Sequence, residues 1–152
     1  MSKKLDLAAI RSRIGTGYPS PFDEPCRRRD RKALGDAAGL TQFGVNLLRL
    51  PPGEWSSQRH WHSAEDEFVY VVAGEVTLVT DDGEEVLHAG DCAAFKAGDA
   101  NGHHLQNRSN HDVVLLEVGS RDPADGAVYP DIDLLIPPGA DNYTHRDGTP
   151  YE

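Results

Sequence analysis

The sequence predicts an all-β barrel or sandwich, and two observations carry that expectation. From Phe43 onward the chain falls into short segments rich in β-branched and aromatic residues. Turn residues punctuate these segments at Pro51-Pro52-Gly53, Asp81-Asp82-Gly83 and Gly90-Asp91.

Taken in order, residues 43–50 read as a strand ended by the two prolines, and residues 56–62 as the next. Residues 67–73 carry Val69 and Val71 on one face and Phe68, Tyr70 and Val72 on the other. Both faces are apolar, so the barrel core must cover one and the N-terminal arm or a second subunit the other. Residues 75–80 and 84–88 flank Asp81-Asp82-Gly83, a hairpin signal because aspartate and glycine tolerate the positive φ of such turns. Residues 92–96, 103–107 and 113–119 complete about eight strands, as a barrel of this kind needs.

What precedes and follows is different in kind. Residues 1–42 read as an arm, since glycine and proline recur through Gly15 to Pro21 and only residues 5–10 suggest a short helix. The basic run Arg27-Arg28-Arg29-Asp30-Arg31-Lys32 reads as solvated or salt-bridged rather than as an anion site. Residues 121–152 read as a strap packed on the barrel, because the apolar island at residues 132–136 must be covered by something. As a lid instead, this segment would bring Tyr143, His145 or Arg146 to the barrel mouth. The barrel itself spans residues 43–120.

Length and charge bound the function. A chain of 152 residues with 38% apolar content builds one core. A formal charge of −10 repels nucleic acid and anionic membranes, so neither is an expected partner. No long apolar run suggests a membrane span or signal peptide, and a soluble, cytoplasmic protein is expected. Cys26 and Cys92 are too far apart for a zinc ribbon and read as ordinary thiols, while His88 and His111 read as surface residues.

The chemistry centres on His60-Trp61-His62 and Glu67. Residues two apart on a strand share a face, so His60 and His62 can aim at one point, and Glu67 opens the neighbouring strand. Two imidazoles and a carboxylate suit one divalent transition metal: iron, manganese, zinc or nickel. Neither face of residues 56–62 is apolar, as a polar cavity would explain. Farther on, His103 and Leu105 share one face of a strand and His104 and Gln106 the other. Leu105 belongs in the core, which makes His103 the inward histidine and fourth candidate ligand; a bulge near Gly102 would exchange it with His104. Ser56, Gln58 and His104 could orient a substrate or buttress the ligands. Among candidate bases, Tyr70 faces away from Glu67, and Glu65 and Asp66 lie in the turn beside it.

These residues make the chain resemble the cupin superfamily. The first cupin motif runs glycine, five residues, His-x-His, three or four residues, Glu, six residues, glycine. Gly53, His60, His62, Glu67 and Gly74 fill it with one extra residue before the first histidine. The second motif runs glycine, five residues, Pro-x-Gly, two residues, His, three residues, Asn. Gly90, Gly98, His103 and Asn107 fill it, with Lys96 in place of the proline and four residues between Gly98 and His103. The wording is similar to single-domain bacterial cupins of the sugar or mannose-6-phosphate isomerase-like group. The resemblance implies a double-stranded β-helix, the jelly-roll barrel, with His60, His62, Glu67 and His103 as metal ligands, and a homodimer.

Two function classes follow from it, because this fold hosts many chemistries. One is a metal-dependent enzyme, of isomerase or dioxygenase type, acting on a small polar oxygenated compound such as a sugar or a hydroxy or keto acid. The other is a non-catalytic cupin that binds or senses a small ligand.

Overall fold

Strand pairing in this chain follows its alternation of apolar residues. The computed structural model describes residues 3–152. Its strands, in chain order, are β1 (Arg13–Ile14), β2 (Asp30–Ala33), β3 (Phe43–Leu50), β4 (Trp61–His62), β5 (Glu67–Ala73), β6 (Glu75–Thr80), β7 (Gly83–His88), β8 (Cys92–Phe95), β9 (His104–Gln106), β10 (Val113–Ser120), β11 (Ala127–Tyr129) and β12 (Leu134–Ile136). One short helix, α1 (Leu34–Ala37), joins β2 to β3.

The pairings described are antiparallel and form sheets in the orders β1-β2-β3-β10-β5-β8, β7-β6-β9 and β12-β11-β4. Leu48, Val71 and Leu115, aligned across neighbouring strands of the six-stranded sheet, are fully buried. They meet Val76, Leu87 and Leu105 of β7-β6-β9 in one apolar cluster. Two antiparallel sheets closed over such a core are the jelly-roll arrangement. Gly74 lets the chain turn from β5 into β6: its φ is +86°, and a Cβ there would lie 2.7 Å from the Asp112 carbonyl oxygen.

Two segments depart from expectation. Residues 56–62 are strand only at β4; before it the chain makes isolated bridges, Trp55 to Gln106 and His60 to His103. The Ser56 and His60 amides donate to the Leu105 and His103 carbonyls, but the ladder is interrupted between them, where Gln58 N–H is taken by the Tyr18 hydroxyl. Alternation survives all the same, with Ser56, Gln58 and His60 buried and Ser57, Arg59 and Trp61 half-buried. The helix expected over residues 5–10 shrinks to a 3-10 turn, Leu7–Ala9, whose first amides are capped by Asp6.

Both ends of the chain are woven in. Near the N-terminus β2 pairs with β3 and β1 with β2, extending the main sheet. At the other end β11 and β12 pair with each other, and β11 with β4. Tyr18 and Cys26 from the first segment pack with Ala127, Tyr129 and Leu134 from the last in a second apolar cluster. No helix among the described residues is long and apolar enough to cross a membrane.

The outer face of the main sheet is covered unevenly. Leu7 and Ser12 lie beside Leu47 and Val114, but Phe68, Tyr70 and Val72 are 39%, 40% and 48% exposed. If a second copy covers this face, Phe68→Lys with Val72→Lys yields monomers by light scattering where the unaltered chain yields dimers. A monomeric unaltered chain contradicts that expectation.

Candidate metal centre

Glu67 begins β5 opposite Gly119 of β10. On the other side, His60 and His103 exchange backbone hydrogen bonds of 3.1 and 2.9 Å, which brings their rings to 4.9 Å. The His62 ring lies 5.0 Å from that of His60, as expected for two side chains on one face.

The imidazoles converge on the carboxylate through their Nε2 atoms. His62 Nε2 is 3.1 Å and His60 Nε2 3.6 Å from Glu67 Oε1, and His103 Nε2 is 2.5 Å from Oε2. Ligating atoms of His60, His62 and Glu67 all lie within 4.8 Å of one another. The far nitrogens of two rings are held. His60 Nδ1 lies 2.8 Å from the Gln58 carbonyl, and His62 Nδ1 2.7 Å from Asp125 Oδ2. With Nδ1–H donating to these acceptors, each Nε2 lone pair is left pointing at the common centre, which a metal ligand requires. His103 Nδ1 is buried without a partner among the described residues, so its ring is oriented by stacking on Phe95 at 3.5 Å and by Glu67. This donor set fits one divalent transition metal.

Charge in the cluster follows from these contacts. Burial favours neutral Glu67, but hydrogen bonds from His103, His60 and His62 outweigh it and hold the carboxyl well below its usual range. Burial likewise disfavours charged His62, and Glu67 with Asp125 overcomes it, raising the pKa to about 9. For His103 burial prevails over Glu67 and lowers the pKa. His104 is turned away: its Nδ1 meets the Ser57 carbonyl at 2.8 Å, its ring packs edge-on against Trp55, and burial lowers its pKa to about 4.

The other residues singled out from sequence take distinct places. Ser56 lines the cavity beside His60, and its hydroxyl accepts from Leu105 N–H at 3.0 Å. Gln58 touches His60 through its backbone carbonyl, while its side-chain amide donates to the Phe22 carbonyl. Asp66 accepts from Ala97 N–H at the surface, and Glu65 accepts from Asp122 N–H. Of the three C-terminal residues considered as a lid, Tyr143 lines the cavity; His145 is bonded to Asp133, and Arg146 to the Tyr129 and Pro130 carbonyls.

A cavity of about 290 Å³ opens beside His60, Glu67 and His103. Three features of the site and its cavity are not anticipated from the sequence. Asp125, which anchors His62, also accepts from the Ala64 and Glu65 amides. Nothing local to it signals that role. Glu117 faces the cavity from β10, and burial raises its pKa against the pull of Arg29 and Arg31. An acid at an inward register position, after Val113 and Leu115, was the available signal. Finally, the basic run is divided. Arg27 and Arg28 pair with Asp23 and Glu54, as expected of a salt-bridged run, but Arg29 and Arg31 line the cavity.

Comparison with known proteins agrees with this architecture. Residues 46–119 match a family described as the cupin domain. A sugar phosphate isomerase of the cupin superfamily from Silicibacter pomeroyi is 46% identical, with a TM-score of 0.92 over 99% of this chain and 97% of that one. A protein from Acidithiobacillus ferrooxidans, named provisionally as a sugar phosphate isomerase, is 29% identical, with a TM-score of 0.72 over 82% of this chain and 81% of that one. A polyketide cyclase from Streptomyces resistomycificus, 19% identical with a TM-score of 0.63 over 80% and 81% of the two chains, shares the fold. No curated protein matches the sequence.

Two expectations follow for metal uptake. Because His62 keeps its proton up to about pH 9 in the metal-free protein, an incoming ion must displace it. Apparent affinity therefore rises with pH to about 9 and levels above it, and calorimetry in buffers of different ionisation enthalpy detects the released proton. Uptake without proton release contradicts this. The same protonation stabilises the metal-free fold fully below the ordinary histidine pKa of ~6.5, and that contribution is lost as pH rises through the folded value. Asp125→Ala frees the His62 ring and weakens metal affinity about 10–100-fold by competition titration; unchanged affinity denies Asp125 its orienting role.

Proposed function

The chain belongs to the cupin superfamily, and from that premise we propose that it is a metal-dependent isomerase of small sugar-class hydroxy-carbonyl compounds. The observation that carries this reading is the convergence of three imidazoles on Glu67, with His60, His103 and the carboxylate lining a cavity sized for a small ligand. Identity of 46% along nearly the whole chain with the Silicibacter pomeroyi sugar phosphate isomerase supports it.

In this reading His60, His62, Glu67 and His103 would hold a divalent transition ion, which would supply Lewis-acid chemistry toward the carbonyl and hydroxyl oxygens of the substrate. Asp125 keeps the His62 ring aimed at the ion. The Tyr129 ring, 5.4 Å from that of His60, closes the chamber wall and limits water.

Isomerisation moves a proton between adjacent carbons, so one group must take it and give it back. Glu117 suits that role, since it faces the cavity, makes no hydrogen bond among the described residues, and has a pKa raised by burial. That is the direction required of a carboxyl working as acid and base near neutral pH.

Metal analysis of the purified protein, followed by assay of the metal-loaded form on a panel of aldose and ketose phosphates, tests the proposal. Interconversion of at least one pair is expected. Glu67→Gln loses the metal, whereas Glu117→Gln keeps it and lowers kcat about 10²–10⁴-fold. If the loaded protein interconverts none of the panel while the same compounds raise its thermal midpoint, the chain is a non-catalytic ligand-binding cupin.

A further inference from the structure

The cavity has a second pole, opposite in charge to Glu67. Arg29 is 9% exposed, and among the described residues its guanidinium donates only to neutral acceptors, the Gly15 carbonyl at 3.3 Å and the Ser56 carbonyl at 2.6 Å. Arg31 lies opposite Leu48 in the pairing of β2 with β3, which turns it to the inner side of the sheet. Among the described residues its guanidinium makes no hydrogen bond, and neither arginine forms an ion pair, although Arg27 and Arg28 in the same run both do.

Two inward guanidiniums without counterions are costly, because each loses hydration and the pair repel. Burial and the neighbouring charges of Arg29 and Arg13 both lower the Arg31 pKa. Both arginines pull the Glu117 pKa down, yet burial outweighs them and drives that carboxyl toward its neutral form. Tyr143 lines the same cavity as both arginines, and although burial raises the pKa of its hydroxyl, Tyr129, Arg29, Arg13 and Arg31 pull it down. A doubly charged tetrahedral anion would supply the missing counter-charge and accept from several of these donors at once.

We propose that Arg29 and Arg31, with the Tyr143 hydroxyl, form an oxyanion subsite that holds the phosphate group of the substrate. The subsite rests on the isomerase reading for its purpose but not for its binding chemistry. Arg31 on β2 and Glu67 on β5 are separated by β3 and β10, and both line the same cavity.

Inorganic phosphate is the probe, titrated calorimetrically into the metal-free protein, with acetate in parallel. Arg29 also braces two backbone carbonyls, so Arg31→Gln carries the test and Tyr143→Phe provides a milder second variant, each checked for an unchanged circular dichroism spectrum. Phosphate is expected to bind the unaltered chain, and to weaken at least tenfold in Arg31→Gln and more modestly in Tyr143→Phe. The proposal is overturned if phosphate does not bind, if Arg31→Gln binds it equally, or if acetate binds as tightly. Phosphate held as expected by a protein that isomerises no sugar phosphate leaves the subsite standing and removes the isomerase reading, so the two fail separately.

Discussion

An ionised carboxylate half-withdrawn from water is the constraint around which this molecule is arranged. Burial alone would raise the Glu67 pKa, because it penalises the charge. Three imidazoles prevent that by converging on its two oxygens. Each needs support of its own: the bridge between His60 and His103, the carbonyl of Gln58, the carboxylate of Asp125 and the flat face of Phe95. Such an assembly of aimed lone pairs is expensive to hold together for packing alone, and it is the arrangement that metal ligation needs.

The barrel and its flanks divide the work. Residues 46–119, the part shared with the wider family, contain His60, His62, Glu67 and His103. The chamber beside them is finished by residues outside that span: Tyr18, Arg29 and Arg31 from one end of the chain, Asp125, Tyr129 and Tyr143 from the other. Packing of the two ends in a common apolar cluster fixes them relative to each other. Similarity to the Silicibacter pomeroyi protein extends along nearly the whole chain, flanks included.

Much of this was legible in the sequence wherever the cause was local. Turn chemistry at Asp81-Asp82-Gly83 and the alternation through residues 67–73 placed strands where they are found, and a two-residue period was enough to bring His60 and His62 together. The segment before β4 was harder. Its side chains alternate as a strand's do, but its ladder is interrupted where Gln58 N–H is taken by Tyr18, a partner distant in sequence. Asp125 was hidden for the same reason, lying 63 residues from the histidine it holds. Arg29 and Arg31 illustrate a different limit: a run of basic residues looks uniform until pairing with β3 turns alternate members inward. Glu117 carried a readable signal in its inward position on an otherwise apolar strand.

Everything proposed for this cavity requires that one ion gather side chains from β4, β5 and the approach to β9. X-ray absorption at the metal edge of the loaded protein addresses this directly, because imidazole rings produce a multiple-scattering signature that carboxylates and water lack. Three imidazole nitrogens and a carboxylate oxygen are expected at bonding distance, with the imidazole signature diminished in His103→Ala. A shell of oxygen atoms without imidazole scattering would contradict that arrangement.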